Sequence, residues 1–271
     1  MTSPTKAHLS QIWLYPIKSL DPIAVSSARI APSGALVGDR EFALLDQQGK
    51  YINGKNNPLV HRLRTSYDLT HRLVTIRVQG EHQAITWHLD HQRQELEHWF
   101  SHYFQQPVEV RQNSQAGFPD DTESPASTIV SLATLEAVQS WFPDLSLGQI
   151  RLRFRTNLEI SGVPAFWEDG LYGQKGTAVP FQIGTVTFWG TNPCQRCPVP
   201  VRDPFTGKNY PNFVRIFIQQ RQATLPAWAE TSRFDHFYRL TVNTRVPASA
   251  VGKTLCVGDA VQLCPPQITG N

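Results

Sequence analysis

Cys194-Gln195-Arg196-Cys197 places two thiols and a permanent cation within four residues. A thiolate is both a nucleophile and a soft metal ligand, and a guanidinium beside a thiol favours its ionised form. Pro193, Pro198, Pro200 and Pro204 argue against a helix here, because each lacks an amide donor and restricts the residue before it. The sequence therefore predicts both thiols on a stiffened loop. That loop follows a strand-like run from Phe181 to Phe188 and precedes a turn at Asp203-Pro204-Phe205-Thr206-Gly207.

Four chemistries suit such a pair. A structural zinc site needs four ligands, usually as two close pairs, and the spacing of Cys256 and Cys264 does not supply the second pair. A thioredoxin-like disulfide needs its first thiol at a helix N-terminus, which the prolines disfavour. Two inert core cysteines are a third reading. The fourth is one thiolate on a soft transition metal whose other donors come from a cofactor. Separated cations at Lys18, Arg40 and Arg155 would suit a phosphate on that cofactor, with the guanidinium groups binding it in bidentate fashion.

The elements that must position these residues are mostly β. Leu9 to Leu20 opens as a strand and delivers Lys18-Ser19 to a loop. Val25 to Ala31 and Glu41 to Leu45 follow as strands, with Gly38-Asp39-Arg40 at the entrance of the latter, and Lys50 to Ile52 returns as a hairpin. Residues 64–69, 73–78 and 84–89 alternate apolar and polar positions. Gln92 to Gln105 changes period: Leu96, Trp99, Phe100, Tyr103 and Phe104 form one helical face, read as core packing. A strand at 107–111 precedes Gln112 to Ala126, which reads as a surface loop and a domain boundary. Ser131 caps a helix running to Phe142. From Ile150 to Ser161, apolar residues alternate with Arg151, Arg153, Arg155, Asn157 and Glu159, which predicts a long strand with Arg155 and Asn157 on one face. Asn212 to Gln222 reads as a helix, and Phe237 to Asn243 and Ala260 to Leu263 as strands.

Composition is that of a folded soluble protein, with 40% hydrophobic and 17% charged residues in 271. The formal charge of +3 gives no bulk signal for nucleic acid. The four cysteines are too few and too unevenly spaced for a disulfide scaffold. Neither an apolar leader nor a run of membrane-spanning length is present in the sequence, so the expectation is a cytoplasmic protein with reduced thiols that neither crosses a membrane nor binds nucleic acid.

Several short pieces occur here in one order: Leu14-Tyr15-Pro16-Ile17-Lys18-Ser19, Gly38-Asp39-Arg40, Phe154-Arg155-Thr156-Asn157, Cys194-Gln195-Arg196-Cys197 with its Asp203–Gly207 turn, and Val257-Gly258-Asp259. As an ordered set, spread over residues 8 to 264, they resemble the MOSC family, which includes the mitochondrial amidoxime-reducing component and YcbX-type proteins. The resemblance implies a mainly β (α+β) fold with a few peripheral helices. A smaller N-terminal β-barrel-like domain (1–120) would precede a MOSC β-barrel domain (121–271). It implies a molybdenum cofactor, the metal bound by Cys197 and the molybdopterin held by Lys18, Ser19, Arg40, Arg155 and Asn157, with Gln195 and Arg196 lining it. Ser127 and Thr128 match a further Ser/Thr-bearing stretch of the family. Cys194 is expected to pack rather than to ligate, and Glu168-Asp169 matches an acidic pair expected to give structural support.

The implied activity is a molybdenum-dependent oxidoreductase, with Cys197 catalytic, that reduces N-hydroxylated small molecules such as amidoximes by oxygen-atom transfer. Three departures bear on it. Gln195 stands where amidoxime reducers carry a small hydroxyl residue, and the Gly170 to Pro180 loop is longer. No ferredoxin-like cysteine cluster follows Val257-Gly258-Asp259, so electrons are expected from a separate ferredoxin- or flavoprotein-type partner. A cofactor carrier without turnover, or a sulfur carrier with a persulfide on Cys197, are the alternatives.

Overall fold

The computed structural model describes residues 6–264 as a mainly β protein with four α-helices. In chain order the elements are β1 (His8–Leu14), β2 (Ile23–Val25), β3 (Ser27–Arg29), β4 (Phe42–Leu45), β5 (Leu63–Asp68), β6 (Leu73–Val78), β7 (Ala84–His88), α1 (Arg93–Phe104) and β8 (Glu109–Gln112). There follow β9 (Ile129–Ser131), α2 (Leu132–Ser140), α3 (Leu147–Phe154), β10 (Leu158–Ser161), β11 (Val179–Ile183), β12 (Val186–Gln195), α4 (Phe213–Ala223), β13 (Arg239–Arg245), β14 (Thr254–Cys256) and β15 (Val261–Leu263).

The largest sheet has eight strands in the order β15-β11-β12-β13-β9-β10-β1-β2, with β9 and β10 parallel and the other pairs antiparallel. β1 and β2 thus complete, from the start of the chain, a sheet whose remaining strands all lie beyond residue 128. Leu9, Ile12, Leu158, Ile160, Phe181, Phe188 and Val242 belong to the buried core of this sheet. A second core joins β4, β8 and the β5-β6-β7 meander to α1, where Leu96, Phe100 and Phe104 face inward as their spacing requires. A third core is aromatic and joins α2, α3 and α4 through Phe142, Phe154, Phe213 and Phe217.

Two readings of the sequence are corrected. The segment 150–161 is not one strand. Residues 147–154 form α3, Arg155 ends it in the left-handed conformation (φ 53°), and only 158–161 are strand. Helical periodicity explains the burial: Ile150, Arg153 and Phe154 face the core, and Ser146 and Gln149 form a reciprocal capping box at its start. Arg155 and Asn157 therefore share no strand face. Arg151 pairs with buried Glu159 at 2.8 Å, and Arg153 donates to the carbonyls of Pro200 (2.8 Å) and Arg202 (2.7 Å). Likewise 181–188 is a hairpin rather than a single run, turning at Gly184 (φ 58°) between β11 and β12.

Glu168 and Asp169 are buried and tie elements together. Glu168 Oε2 accepts from the amide of Ser131 (3.2 Å) and the hydroxyl of Thr134 (3.0 Å), while Oε1 has no partner. Asp169 pairs with buried Arg221 of α4 and accepts from Tyr172 at 3.0 Å. Burial, and next the Asp169 charge, push the Glu168 pKa up to about 7. The folded chain then holds this proton where the unfolded chain, with a carboxyl near 4.5, has released it. The stability it contributes is complete below about pH 4.5 and is lost as pH rises to about 7. Glu168→Gln should remove that loss, on the order of 2–3 kcal/mol. Chemical denaturation at several pH values should show the wild-type minus variant difference falling across this window; a flat difference would contradict it. At the end of α3, both Arg155→Gly and Arg155→Ala delete the side chain, but only alanine bears the left-handed strain. Glycine should be the more stable variant by about 1 kcal/mol in thermal melts.

Candidate functional site

Three loops meet around the ring of Tyr15. The Tyr15 amide donates to Asp39 Oδ1 (2.9 Å), and its hydroxyl donates to the carbonyl of Thr156 (3.3 Å). Over the ring lie the guanidinium of Arg155, 4.3 Å from the centroid, and that of Arg40, 5.1 Å away. Sites 19, 40 and 155 all have positive φ (76°, 51° and 53°), a conformation that non-glycine residues rarely adopt and that gathers at functional sites. Each brings its side chain to a cleft of about 480 Å³.

The eight residues expected at the cofactor and metal line this cleft: Lys18, Ser19, Arg40, Arg155, Asn157, Gln195, Arg196 and Cys197; Thr128 and Cys194 line it too, and Ser127 does not. Lys18 is only 6% exposed and donates to the carbonyl of Phe118 (2.7 Å) and to Asp120 (2.9 Å). Burial pushes its pKa down, and the Asp120 carboxylate opposes that. Arg40 pairs with Asp39, and its Nη1 also donates to Asn157 Oδ1 at 3.3 Å. Asn157 is a brace as well as a lining residue, since its amide nitrogen donates to the carbonyl of Trp13 (3.0 Å). Arg155 donates to the carbonyl of Leu20 (2.7 Å), and Arg196 to that of Phe154 (2.6 Å). Among the described residues neither guanidinium has a carboxylate partner. Burial, and then the nearby Arg40 charge, push the Arg155 pKa down, yet a guanidinium stays charged at neutral pH.

The cysteines reach the cleft from the opposite side. Cys194 lies within β12, not on a loop as the prolines suggested. Pro193 is tolerated there because the pairing with β13 shifts register on either side of it. Two β13 residues, Leu240 and Thr241, oppose Cys194 at one of these shifts, and Thr241 is forced to φ 70°. Arg196 Nη1 donates to Cys194 Sγ at 3.3 Å. Cys197 is half-buried and follows the strand, just before a 3-10 turn at Val199–Val201 whose carbonyls Arg153 holds. Gln195 is exposed at the rim.

Lys55, Asp120 and Asp121 also line the cleft and were not picked out from the sequence. The segment 112–126, read as a plain surface loop, forms one of its walls. No sequence signal marks these residues, because their partners are distant: Asp120 pairs with Lys18 and Lys55, 102 and 65 positions away, and Asp121 accepts from Asn243, 122 positions away. Glu168 and Asp169 lie outside the lining.

Among the described residues no three histidine, cysteine or acidic side chains are grouped to hold a metal ion. A metal on Cys197 would thus draw its other donors from a ligand filling the cleft, and the Arg155 guanidinium, with no carboxylate partner among the described residues, fits an anionic group on that ligand.

No curated protein matches the chain. The model of the MOSC N-terminal beta barrel domain matches residues 6–145, and that of the MOSC domain matches residues 122–262. MOSC domains are associated with molybdenum-cofactor sulfurases and oxidoreductases. With the two models together spanning nearly all of the described residues, the chain belongs to the MOSC-domain family with an N-terminal MOSC β-barrel domain.

Proposed function

We propose that the protein is a molybdenum-cofactor-dependent oxidoreductase that reduces N-hydroxylated small molecules such as amidoximes or hydroxylamines. The observation that carries this reading is one cleft lined both by the Cys197 thiol and by two guanidinium groups, Arg155 and Arg196, without carboxylate partners among the described residues. Cys197 would be the single protein ligand to the metal. Lys18, Ser19, Arg40 and Arg155 would hold the pterin phosphate, with Asn157 keeping Arg40 in place. Bound there, the cofactor would accept the oxygen and give up the two electrons that N–O cleavage requires. Gln195, exposed at the rim, would meet the substrate, and its amide would favour polar N-hydroxy groups over apolar rings. Arg196 fixes the strand end from which both Gln195 and Cys197 project, through its bonds to Phe154 and Cys194. Each turnover consumes two electrons and two protons and releases water, and the electrons would come from a separate donor protein.

Cys197→Ser should abolish benzamidoxime reduction with an artificial reductant and lower bound molybdenum by at least about tenfold, with an unchanged circular dichroism spectrum. Full metal retention in that variant would contradict the ligand assignment. Wild-type protein loaded with molybdenum but inactive on N-hydroxylated compounds would indicate a carrier. A stable added sulfur on metal-free protein would indicate sulfur transfer.

A further inference from the structure

Lys18 and Lys55 share one carboxylate oxygen. Asp120 Oδ1 lies 2.9 Å from Lys18 Nζ and 3.1 Å from Lys55 Nζ, on the wall of the cleft. The two lysines differ in freedom: the Lys18 side chain is 7% exposed and the Lys55 side chain 40%. The Asp120 side chain is 59% exposed despite both contacts. Backbone on either side of it is fixed. Phe118 donates its amide to the carbonyl of Arg40 (2.9 Å), and Asp121 accepts from Asn243 (2.8 Å) and from the amides of Glu123 (3.0 Å) and Ser124 (3.1 Å). Gly117 lies so close to Asp39 that a Cβ there would meet its carbonyl oxygen at 2.8 Å. Asp120 is thus a free carboxylate carried between two pinned points, with solvent on one side and two ammonium groups on the other.

We propose that Asp120 is a built-in counterion occupying an anion subsite formed by Lys18 and Lys55, and that the phosphate of the bound cofactor displaces it. Lys55 is then a further phosphate-binding residue. This rests on the cofactor reading above, and it adds a competition to it. A dianion entering beside Lys18 cannot tolerate a second negative charge at hydrogen-bond distance from the same ammonium, and both oxygens compete for the same N–H groups. Because the segment is pinned at Phe118 and Asp121, the carboxylate clears the subsite by swinging into solvent, without movement of the wall. Without an anion, the same carboxylate is the charge partner of two ammonium groups, one of them buried and otherwise held only by the Phe118 carbonyl. Weak monoanions such as chloride do not repay that exchange, so the subsite favours dianionic phosphate.

The test is inorganic phosphate binding by calorimetry to the metal-free protein, at fixed pH and ionic strength, in wild type and in Asp120→Asn, Lys55→Gln and Lys18→Gln. Asp120→Asn should tighten binding by about tenfold or more, Lys55→Gln should weaken it severalfold, and Lys18→Gln should weaken it most. Asp120→Asn keeps an oxygen acceptor for Lys18 but removes its charge partner, so it should lower the thermal melt while leaving the circular dichroism spectrum unchanged. Asp120→Asn with unchanged or weaker phosphate binding, while Lys18→Gln still weakens it, would overturn the counterion role and leave the cofactor reading standing. Phosphate binding indifferent to all three substitutions would overturn both.

Discussion

Two like charges stacked over one aromatic ring set the terms for the rest of the site. Arg40 and Arg155 both lie against Tyr15, whose ring is buried at the junction of three loops. Burial raises the Tyr15 pKa to about 12, against the pull of the two arginines, so the phenol stays neutral and serves as a polarisable platform. Asp39 pairs with Arg40, whereas Arg155 has no carboxylate within ion-pair distance among the described residues. Positive charge gathered in this way suits an anion, and Ser19, Arg40 and Arg155 reach the cleft from backbone held at positive φ.

The second half of the site comes from the far side of the same sheet. Strand β12 carries Cys194 and Gln195 to the cleft and ends before Cys197, which lines it from outside the ladder. Register shifts around Pro193, the strained Thr241 opposite, and the buried Arg153 beneath the following 3-10 turn achieve that together. Arg153 is a structural cation: both its carbonyl contacts lie in the segment just after the cysteines. The order of the eight-stranded sheet explains why residues 18 and 197 meet at all. β1 joins the sheet through β10, β10 pairs with β9, and β9 leads to β13 and β12.

Much of this was legible in the chain. The meander β5-β6-β7, helix α1 with its aromatic face and the Ser131 cap all follow from local periodicity and capping chemistry. The residues that meet in the cleft were also visible as short motifs in one order, even though they lie far apart in the chain. The misreadings have physical causes. In 150–161 polar Arg151, Arg153, Arg155, Asn157 and Glu159 fall at every second position, which imitates a strand, while the capping box Ser146–Gln149 was the decisive local signal for α3. Gly184-Thr185 was a two-residue hairpin turn concealed in an apolar run. Lys55 and Asp120 could not be found by any local rule, since what makes them part of the site is a contact between loops distant in sequence.

The central claim is that one thiol and a distant set of cations grip opposite ends of a single metal-bearing, phosphorylated ligand. Its most direct test is to purify the protein from cells that make the pterin cofactor, and to measure molybdenum and released phosphopterin on the same sample. The account expects both in equal amounts, about one per chain, falling together when the cleft cations are removed. Metal without pterin, or neither on a folded protein, would contradict it.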